Sequence, residues 1–579
     1  MKKIISSILC TLMVLSLCAC SSAKLGKEDF AKWIKKVPAK LLGNNDYSLY
    51  SVLDNPEDLG IDMDADSLTF TTHKEYKQSL KESKEMLNKL DEFDYKSLNK
   101  DQKITYDLLK YSLESVIDDG DDYYLASNYF DVNSGVQSNL PINLYFMEFN
   151  NKETVDTLLG VMESTKKMFP KYVKFEQERQ DKGYGLSQTY IEEVIKQVHT
   201  FNAGDHAYLL EGNNEKIEAA SFLSDSEKET YKARLKTAYE DCFIPAYQQL
   251  ETDLQNVKVK TKNKDASLAD YKGGKEYYTS LIKKNTDFDS VKDYKSFLSS
   301  EKNRISERLS DLIYKYPILQ SELMSPSEED PVYTNLTNVS DVLAYLESKV
   351  NTSGDFPKVE NVDYTMETVP EALQEIFTAA AAYFIGPYDN KEATEQMILN
   401  GSFKQDDYGT IAHEGFPGHM YQFHYFRDTN HNIVRDILAN SGYSEGWAVY
   451  ASKMMSEYTE DAALVEYQDL NEDLIYIYML EIDIMIHYDN DSREDIYKYF
   501  EDELGMSNEE DMKAQYEQLL EGPAIFAPYY GYYLRLLNLK EEAKEEWGDD
   551  YSEYKFNKTI LDLGALPYNL LEKYVEATF

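Results

Sequence analysis

The sequence predicts a mainly α protein, and three observations carry that prediction. Apolar residues recur with the helical period, as at Leu109, Leu113, Val116 and Ile117 and again at Met512, Tyr516, Leu519 and Leu520. Ser226 with Glu229 and Ser507 with Glu510 stand at capping-box spacing, where a hydroxyl and a carboxylate satisfy the first free N–H groups of a helix. Runs that alternate like a half-buried strand are few, and 332–339 and 364–369 are the best of them.

Along the chain, helical patterns cover 152–180, 290–314, 369–385, 444–458 and 460–487. The polar stretch 258–272 and the segment 351–361, with Gly354 and Pro357, read as loops. There is no internal repeat and no low-complexity run. With 579 residues and 42% hydrophobic content the chain is able to bury a large core. The expected arrangement is one helical unit of two lobes, 41–368 and 369–579, with the second beginning near Val369.

The first segment reads as a targeting signal, residues 1–19. Lys2 and Lys3 precede an apolar stretch, 4–17, that is too short to span a bilayer. It ends in Leu17-Cys18-Ala19-Cys20, which resembles a bacterial lipobox. The resemblance implies cleavage before Cys20, a lipid on that cysteine, and 20–40 as a tether to the outer face of a membrane. The alternative is a plain secretory signal. Of the 4 cysteines, Cys10 and Cys18 leave with the signal and Cys20 carries lipid. Only Cys242 is left, so the mature chain forms no internal disulfide. A formal charge of −44 repels nucleic acid and anionic headgroups, which excludes both as partners. Contact with the membrane is through the lipid alone.

The chemistry concentrates in 410–419, Thr-Ile-Ala-His-Glu-Gly-Phe-Pro-Gly-His. It begins like the His-Glu-x-x-His zinc motif, in which two imidazoles four residues apart share one helical face. Here the second histidine, His419, lies six positions after His413. At about 100° per residue, six steps leave His419 roughly 120° from His413, so an unbroken helix fails. Pro417 removes an N–H and clashes with the carbonyl of His413, and Gly418 admits backbone angles closed to other residues. Together they permit a broken turn that returns His419 to His413. Glu414 is placed to act as general base toward a water activated by the metal. Glu445, in Gly-Tyr-Ser-Glu-Gly-Trp-Ala-Val-Tyr (442–450), is the candidate third ligand, completing a His, His, Glu set for Zn2+. His424 is the reserve ligand, and His73, His199, His206 and His431 read as structural or surface residues.

His-Glu-Gly-Phe-Pro-Gly-His-Met-Tyr-Gln (413–422) followed by 442–450 resembles the bacterial family catalogued as domain of unknown function 885. That family's pattern is His-Glu-x-x-Pro-Gly-His, then Glu-Gly-Trp-Ala-x-Tyr. Asp483 to Tyr488, Gly522-Pro523 through Tyr530, and 556–567 also resemble family segments, as do Ser134-Gly135 with Leu140-Pro141 and the long helices around them upstream, so the likeness spans nearly the whole mature chain. It implies a large two-lobed helical fold with a central cleft, of the kind found in angiotensin-converting-enzyme and thimet-oligopeptidase relatives. It implies His413, His419 and Glu445 as zinc ligands, Glu414 as base, and His487, Tyr529 or Tyr530 as donor to the oxyanion. His487 sits among Ile482, Ile484 and Ile486, so a core histidine is the competing reading. Asn557 departs from the family pattern, where a His follows the Phe, and so does Ala451-Ser452-Lys453.

These readings converge on a zinc-dependent peptidase acting on peptides. A peptide- or solute-binding lipoprotein without catalysis and a zinc hydrolase of esters or non-peptide amides are the alternatives.

Overall fold

In the computed structural model the described residues are 24–43, 47–61, 68–324, 331–359, 362–371, 374, 381–391, 393–400 and 403–579. Cys20 and the signal segment lie outside them. About 70% of the chain is helical, and the described strands form a single small sheet, so the fold is mainly α.

The helices that build the cores and the site are α1 (Lys27–Ile34), α2 (Lys100–Asp119), α3 (Lys152–Lys182), α4 (Gln188–Ala203), α5 (Ile244–Gln255), α6 (Gly274–Thr286), α7 (Val291–Lys315) and α8 (Val339–Ser353). They continue with α9 (Asp407–Glu414), α10 (His419–Asp428), α11 (Ser441–Met454), α12 (Ala462–Ile484), α13 (Glu509–Glu521) and α14 (Tyr532–Trp547). The strands are β1 (Tyr364–Thr368), β2 (Ala381–Phe384) and β3 (Glu395–Leu399).

Local chemistry accounts for many helix starts. The side chains of Asn151, Ser290 and Asn338 each accept an N–H from the first turn of α3, α7 and α8. The capping box expected at Ser226 forms two residues earlier, between Ser224 and Glu227. Likewise α13 is capped by Asn508 rather than Ser507. Near neighbours of the same chemistry compete for one cap, and packing of the helix decides between them.

Two apolar cores organise the chain. One joins α3, α4 and α5 through Leu158, Leu159, Val194, Val198, Leu250 and Leu254. The larger joins α7 and α8 to the C-terminal helices, with Leu298, Ile305, Leu346, Trp447, Ile477 and Leu536 in contact. Burying one such side chain stabilises the fold by about 1.5–3 kcal/mol, and the motif residues Ile411, Ala412, Phe416 and Met420 belong to this second core. The His413–His419 segment is therefore anchored in the larger of these two cores.

Three expectations are corrected. The segment 332–339 is not a strand: Val339 opens α8, and the N–H of Val332 donates to the Asp461 carboxylate at 2.8 Å instead of to a neighbouring strand. Of the helix expected over 369–385, residues 381–384 form β2, antiparallel to β3, with Ala381 opposite Leu399 and Tyr383 opposite Met397. Cross-strand pairing overrides the helical preference of this alanine-rich run; residues 372–373 and 375–380 lie outside the described set. Finally, residues 27–34 are not a free tether. They form α1, which buries Phe30 and Ile34 against Leu90, Phe93 and Leu109.

β1 pairs parallel with β3, and β2 occupies the sheet edge in the order β1-β3-β2. That edge meets α9, the helix that carries His413 and Glu414.

Candidate metal centre

The motif breaks where its proline and glycine stand. α9 ends at Glu414 and α10 starts at His419. Between them the Phe416–Pro417 peptide is cis, and the N–H of Gly418 reaches back to the carbonyl of Ala412 at 3.0 Å. A Cβ on Gly418 would lie 1.7 Å from the carbonyl oxygen of His413, so no residue with a side chain fits this turn. Trp447 of α11, fully buried, fixes the turn from the other side: its indole N–H donates to the Pro417 carbonyl at 3.0 Å. The two imidazoles meet with centroids 4.7 Å apart and planes at 85°.

Glu445 comes to the same point from α11. That helix opens at Asn440, whose side chain accepts the N–H of Tyr443 at 3.0 Å and donates to the Lys284 carbonyl at 3.0 Å, pinning the helix start to the end of α6. Gly446, next to Glu445, lets α14 approach: a Cβ there would sit 2.9 Å from the N of Tyr533. Oε2 of Glu445 lies 3.3 Å from Nε2 of His413 and 3.2 Å from Nε2 of His419. One donor atom from each of the three residues falls within 4.8 Å of the others.

The electrostatics suit a cation. Burial opposes ionisation of Glu445, but the two imidazoles more than offset it and hold the carboxyl down at about 2. Burial would lower His419, yet Glu445 and then Glu414 raise it above its ordinary value. Oε2 of Glu445 is nonetheless buried without a hydrogen bond, and a buried oxygen of this kind costs free energy unless something fills its place. Two imidazole nitrogens and one carboxylate oxygen form a donor set that fits zinc with a coordination position left over. Behind His419, the Gln422 amide lies 2.9 Å from Nδ1 and donates to the Ser444 carbonyl at 3.0 Å, tying α10 to α11 beside Glu445.

Glu414 and Tyr529 flank this group. Oε2 of Glu414 accepts the backbone N–H of Tyr383 in β2 at 2.9 Å. The Tyr529 ring lies parallel to that of His413, with centroids 6.1 Å apart. Burial, then the charges of Glu445 and Glu414, push the Tyr529 phenol well above its ordinary value, so it stays a proton donor.

Other expected site residues lie elsewhere. His487 is fully buried, with Nε2 on the Leu519 carbonyl at 2.9 Å and Nδ1 taking the Leu268 N–H at 3.3 Å, so it has no proton to offer a substrate. Tyr530 stacks on Tyr476 and faces Lys453, which is itself paired with Asp473 at 2.7 Å. Consecutive residues of this turn point different ways, and only Tyr529 turns toward His413. His424, the reserve ligand, pairs with the buried Glu395 at 3.3 Å. Asn557 is buried away from the centre and accepts the Tyr450 hydroxyl at 2.9 Å.

Two contributors escaped the sequence reading. Tyr383 acts through its backbone, which leaves no residue signature, and its hydroxyl donates to Glu395 at 2.7 Å. Gln422 stood three residues from His419 on a helix, a spacing at which side chains meet, and that signal was open to use.

A profile of the family described as "Bacterial protein of unknown function (DUF885)" matches residues 56–575. No curated protein matches the sequence. Among solved structures, a candidate lipoprotein from Colwellia psychrerythraea superposes with a TM-score of 0.80 at 17% identity, over 95% of this chain and 99% of its own. A candidate lipoprotein of unknown function from Shewanella oneidensis gives a TM-score of 0.63 at 17% identity, over 95% and 99%. At that identity the likeness is one of fold. A candidate oligoendopeptidase F from Bacillus anthracis str. Ames reaches a TM-score of only 0.32 at 10% identity, over 88% and 96%, a likeness too slight to bear on the activity of this chain.

Proposed function

The chain belongs to the DUF885 family of bacterial proteins of unknown function, and on that footing we propose that it is a zinc-dependent peptidase. One observation carries the reading: Nε2 of His413 and of His419 converge at 3.3 and 3.2 Å on a buried carboxylate oxygen of Glu445 that has no hydrogen bond. A carboxylate placed to serve as base stands beside them, on the residue that follows the first ligand.

His413, His419 and Glu445 would hold the zinc ion, which would supply Lewis acidity toward a peptide carbonyl and water. The protein's own groups do the rest. With Oε2 of Glu414 held by the Tyr383 N–H, Oε1 is the oxygen that takes a proton from the attacking water. It returns that proton to the amine nitrogen as the C–N bond breaks. The Tyr529 hydroxyl donates to the carbonyl oxygen as it gains charge. Trp447, through the Pro417 carbonyl, keeps the two imidazoles in register, and Gln422 fixes the orientation of His419.

The same reading makes Cys20 the lipidated end of the mature protein, held at the outer face of a bacterial membrane. The lipobox-like Leu17–Cys20 supports it, and so does the lipoprotein description of both structural relatives. Among the described residues no helix is long and apolar enough to cross a membrane.

The test is a mixed peptide pool incubated with the purified chain and read by mass spectrometry, with and without chelator, for wild type and Glu414→Gln. The expected result is metal-dependent cleavage by wild type, and a variant that keeps its zinc and cleaves nothing. A variant with full activity would remove Glu414 as base, and a wild type that binds zinc but cuts no peptide would favour a binding protein.

A further inference from the structure

The segment from Asp483 to His487, at the end of α12, takes no part in the proposed reaction, yet both side chains are buried and fully engaged. His487 donates from Nε2 to the Leu519 carbonyl at 2.9 Å and accepts the Leu268 N–H on Nδ1 at 3.3 Å. A neutral ring with its proton on Nε2 satisfies both bonds. Asp483 accepts the N–H of Ala524 on both oxygens, each at 3.1 Å, and the Tyr278 hydroxyl at 2.5 Å. The two side chains therefore grip the chain on either side of Gly522-Pro523, one in the last turn of α13 and one just beyond it.

What they grip is strained. Ala524 has φ 60, in the left-handed region that residues with a Cβ disfavour. The Ala524 N–H, shared between both oxygens of Asp483, opposes that strain. Beyond Ala524 the chain winds into a π-helical turn, Ala527–Gly531, and passes directly into α14. There Gly446 of α11 admits a close approach, since a Cβ would meet the Tyr532 ring at 2.8 Å. The stretch 525–531 is thus fixed at both ends, and from it the Tyr529 ring stacks alongside that of His413.

We propose that Asp483 and His487 are positioning residues: by clamping the turn between Leu519 and Ala524 they hold the Tyr529 phenol against the metal centre. The inference rests on Tyr529 as the hydroxyl donor in the peptidase reading. It gives the Asp-x-x-x-His segment a role that requires neither side chain to touch substrate. A donor aimed at a developing charge must be held to about half an ångström to be effective, and a π-helical turn entered through a strained alanine has no such precision unless it is anchored.

A double-mutant cycle on the full mature chain, read by kinetics and by hydrogen–deuterium exchange, tests this. Asp483→Ala is expected to speed exchange across 519–531, to leave 407–454 and the zinc content unchanged, and to lower kcat with little change in KM. Tyr529→Phe is expected to lower kcat by about 10²–10³-fold. The double variant should be no slower than Tyr529→Phe alone, because the clamp acts only through that hydroxyl. His487→Leu, apolar and close in size, is the second arm, with the same non-additivity expected, and it carries the test if Asp483→Ala does not fold. Losses that multiply in the double variants, or unchanged exchange across 519–531, would overturn the proposal. If no form of the protein cleaves peptide, exchange alone decides the clamp, and only the peptidase reading falls.

Discussion

The backbone N–H of Tyr383 donates to Oε2 of Glu414 at 2.9 Å, so the edge of a three-stranded sheet holds the carboxylate that stands beside the two imidazoles. Tyr383 is fixed further by its hydroxyl on Glu395, which is fully buried and also pairs with Arg427 of α10. Strand and helix are thereby joined across the site, and the carboxylate of Glu414 keeps one oxygen free. His413 and Glu414 share α9, but Glu414 is held from β2 whereas His419 and Glu445 are held by Gln422 and α11, so on the proposed reading substitutions should separate metal binding from base placement.

Gln422→Ala removes the amide beside Nδ1 of His419. Loss of such a partner typically costs about 10–100-fold in metal affinity. Competition titration with a chromophoric zinc chelator should show a weakening of that order, with the melting temperature lowered as well because the buried Ser444 carbonyl loses its donor. An unchanged affinity would mean that Gln422 serves only the contact between α10 and α11.

Gly418→Ala places a methyl group where the His413 carbonyl already lies. The turn must open to accept it, at a cost of about 1–3 kcal/mol for an overpacked site, and the imidazoles should separate. Thermal unfolding and zinc content should both fall. Retention of full zinc content would show that the motif tolerates another path between its histidines.

Tyr529→Phe should lower kcat by about 10²–10³-fold, the range for loss of one oxyanion donor, while zinc content and KM stay close to wild type. Tyr530→Phe should do far less, because that side chain faces Lys453. Steady-state kinetics on any peptide cleaved by wild type makes the comparison.

Glu521 offers a pH test away from the metal. Burial, then the charges of Glu193, Glu517 and Asp131, raises its carboxyl to about 8. The folded chain therefore holds a proton that the unfolded chain releases near pH 4.5, and stability falls as pH rises from there to about 8. Glu521→Gln should leave the melting temperature nearly unchanged at pH 4 and raise it at pH 9. With about 1.4 kcal/mol per pKa unit the ceiling is a few kcal/mol. Equal effects at both pH values would contradict this.

The meeting of His413, His419 and Glu445 was legible in the sequence because the decisive chemistry is local. Pro417 and Gly418 forbid a regular helix between His413 and His419, and Glu445 stands near the start of the next long helix. The sequence carried less where the outcome depends on distant partners. Residues 381–384 read as helix until β3 supplies the pairing that makes them an edge strand. Tyr529 and Tyr530 are chemically equal in one dimension, and only the winding of the π-helical turn separates them. The family resemblance offered His487 as a donor, but the Leu519 carbonyl and the Leu268 N–H, from segments far off in sequence, take both ring nitrogens.

Anomalous diffraction at the zinc edge, from crystals grown with one equivalent of Zn2+, bears most directly on the account. The predicted result is one strong peak about 2.0–2.2 Å from Nε2 of His413, Nε2 of His419 and a carboxylate oxygen of Glu445. A map with no peak among these three residues, or with its zinc bound only elsewhere, would contradict it.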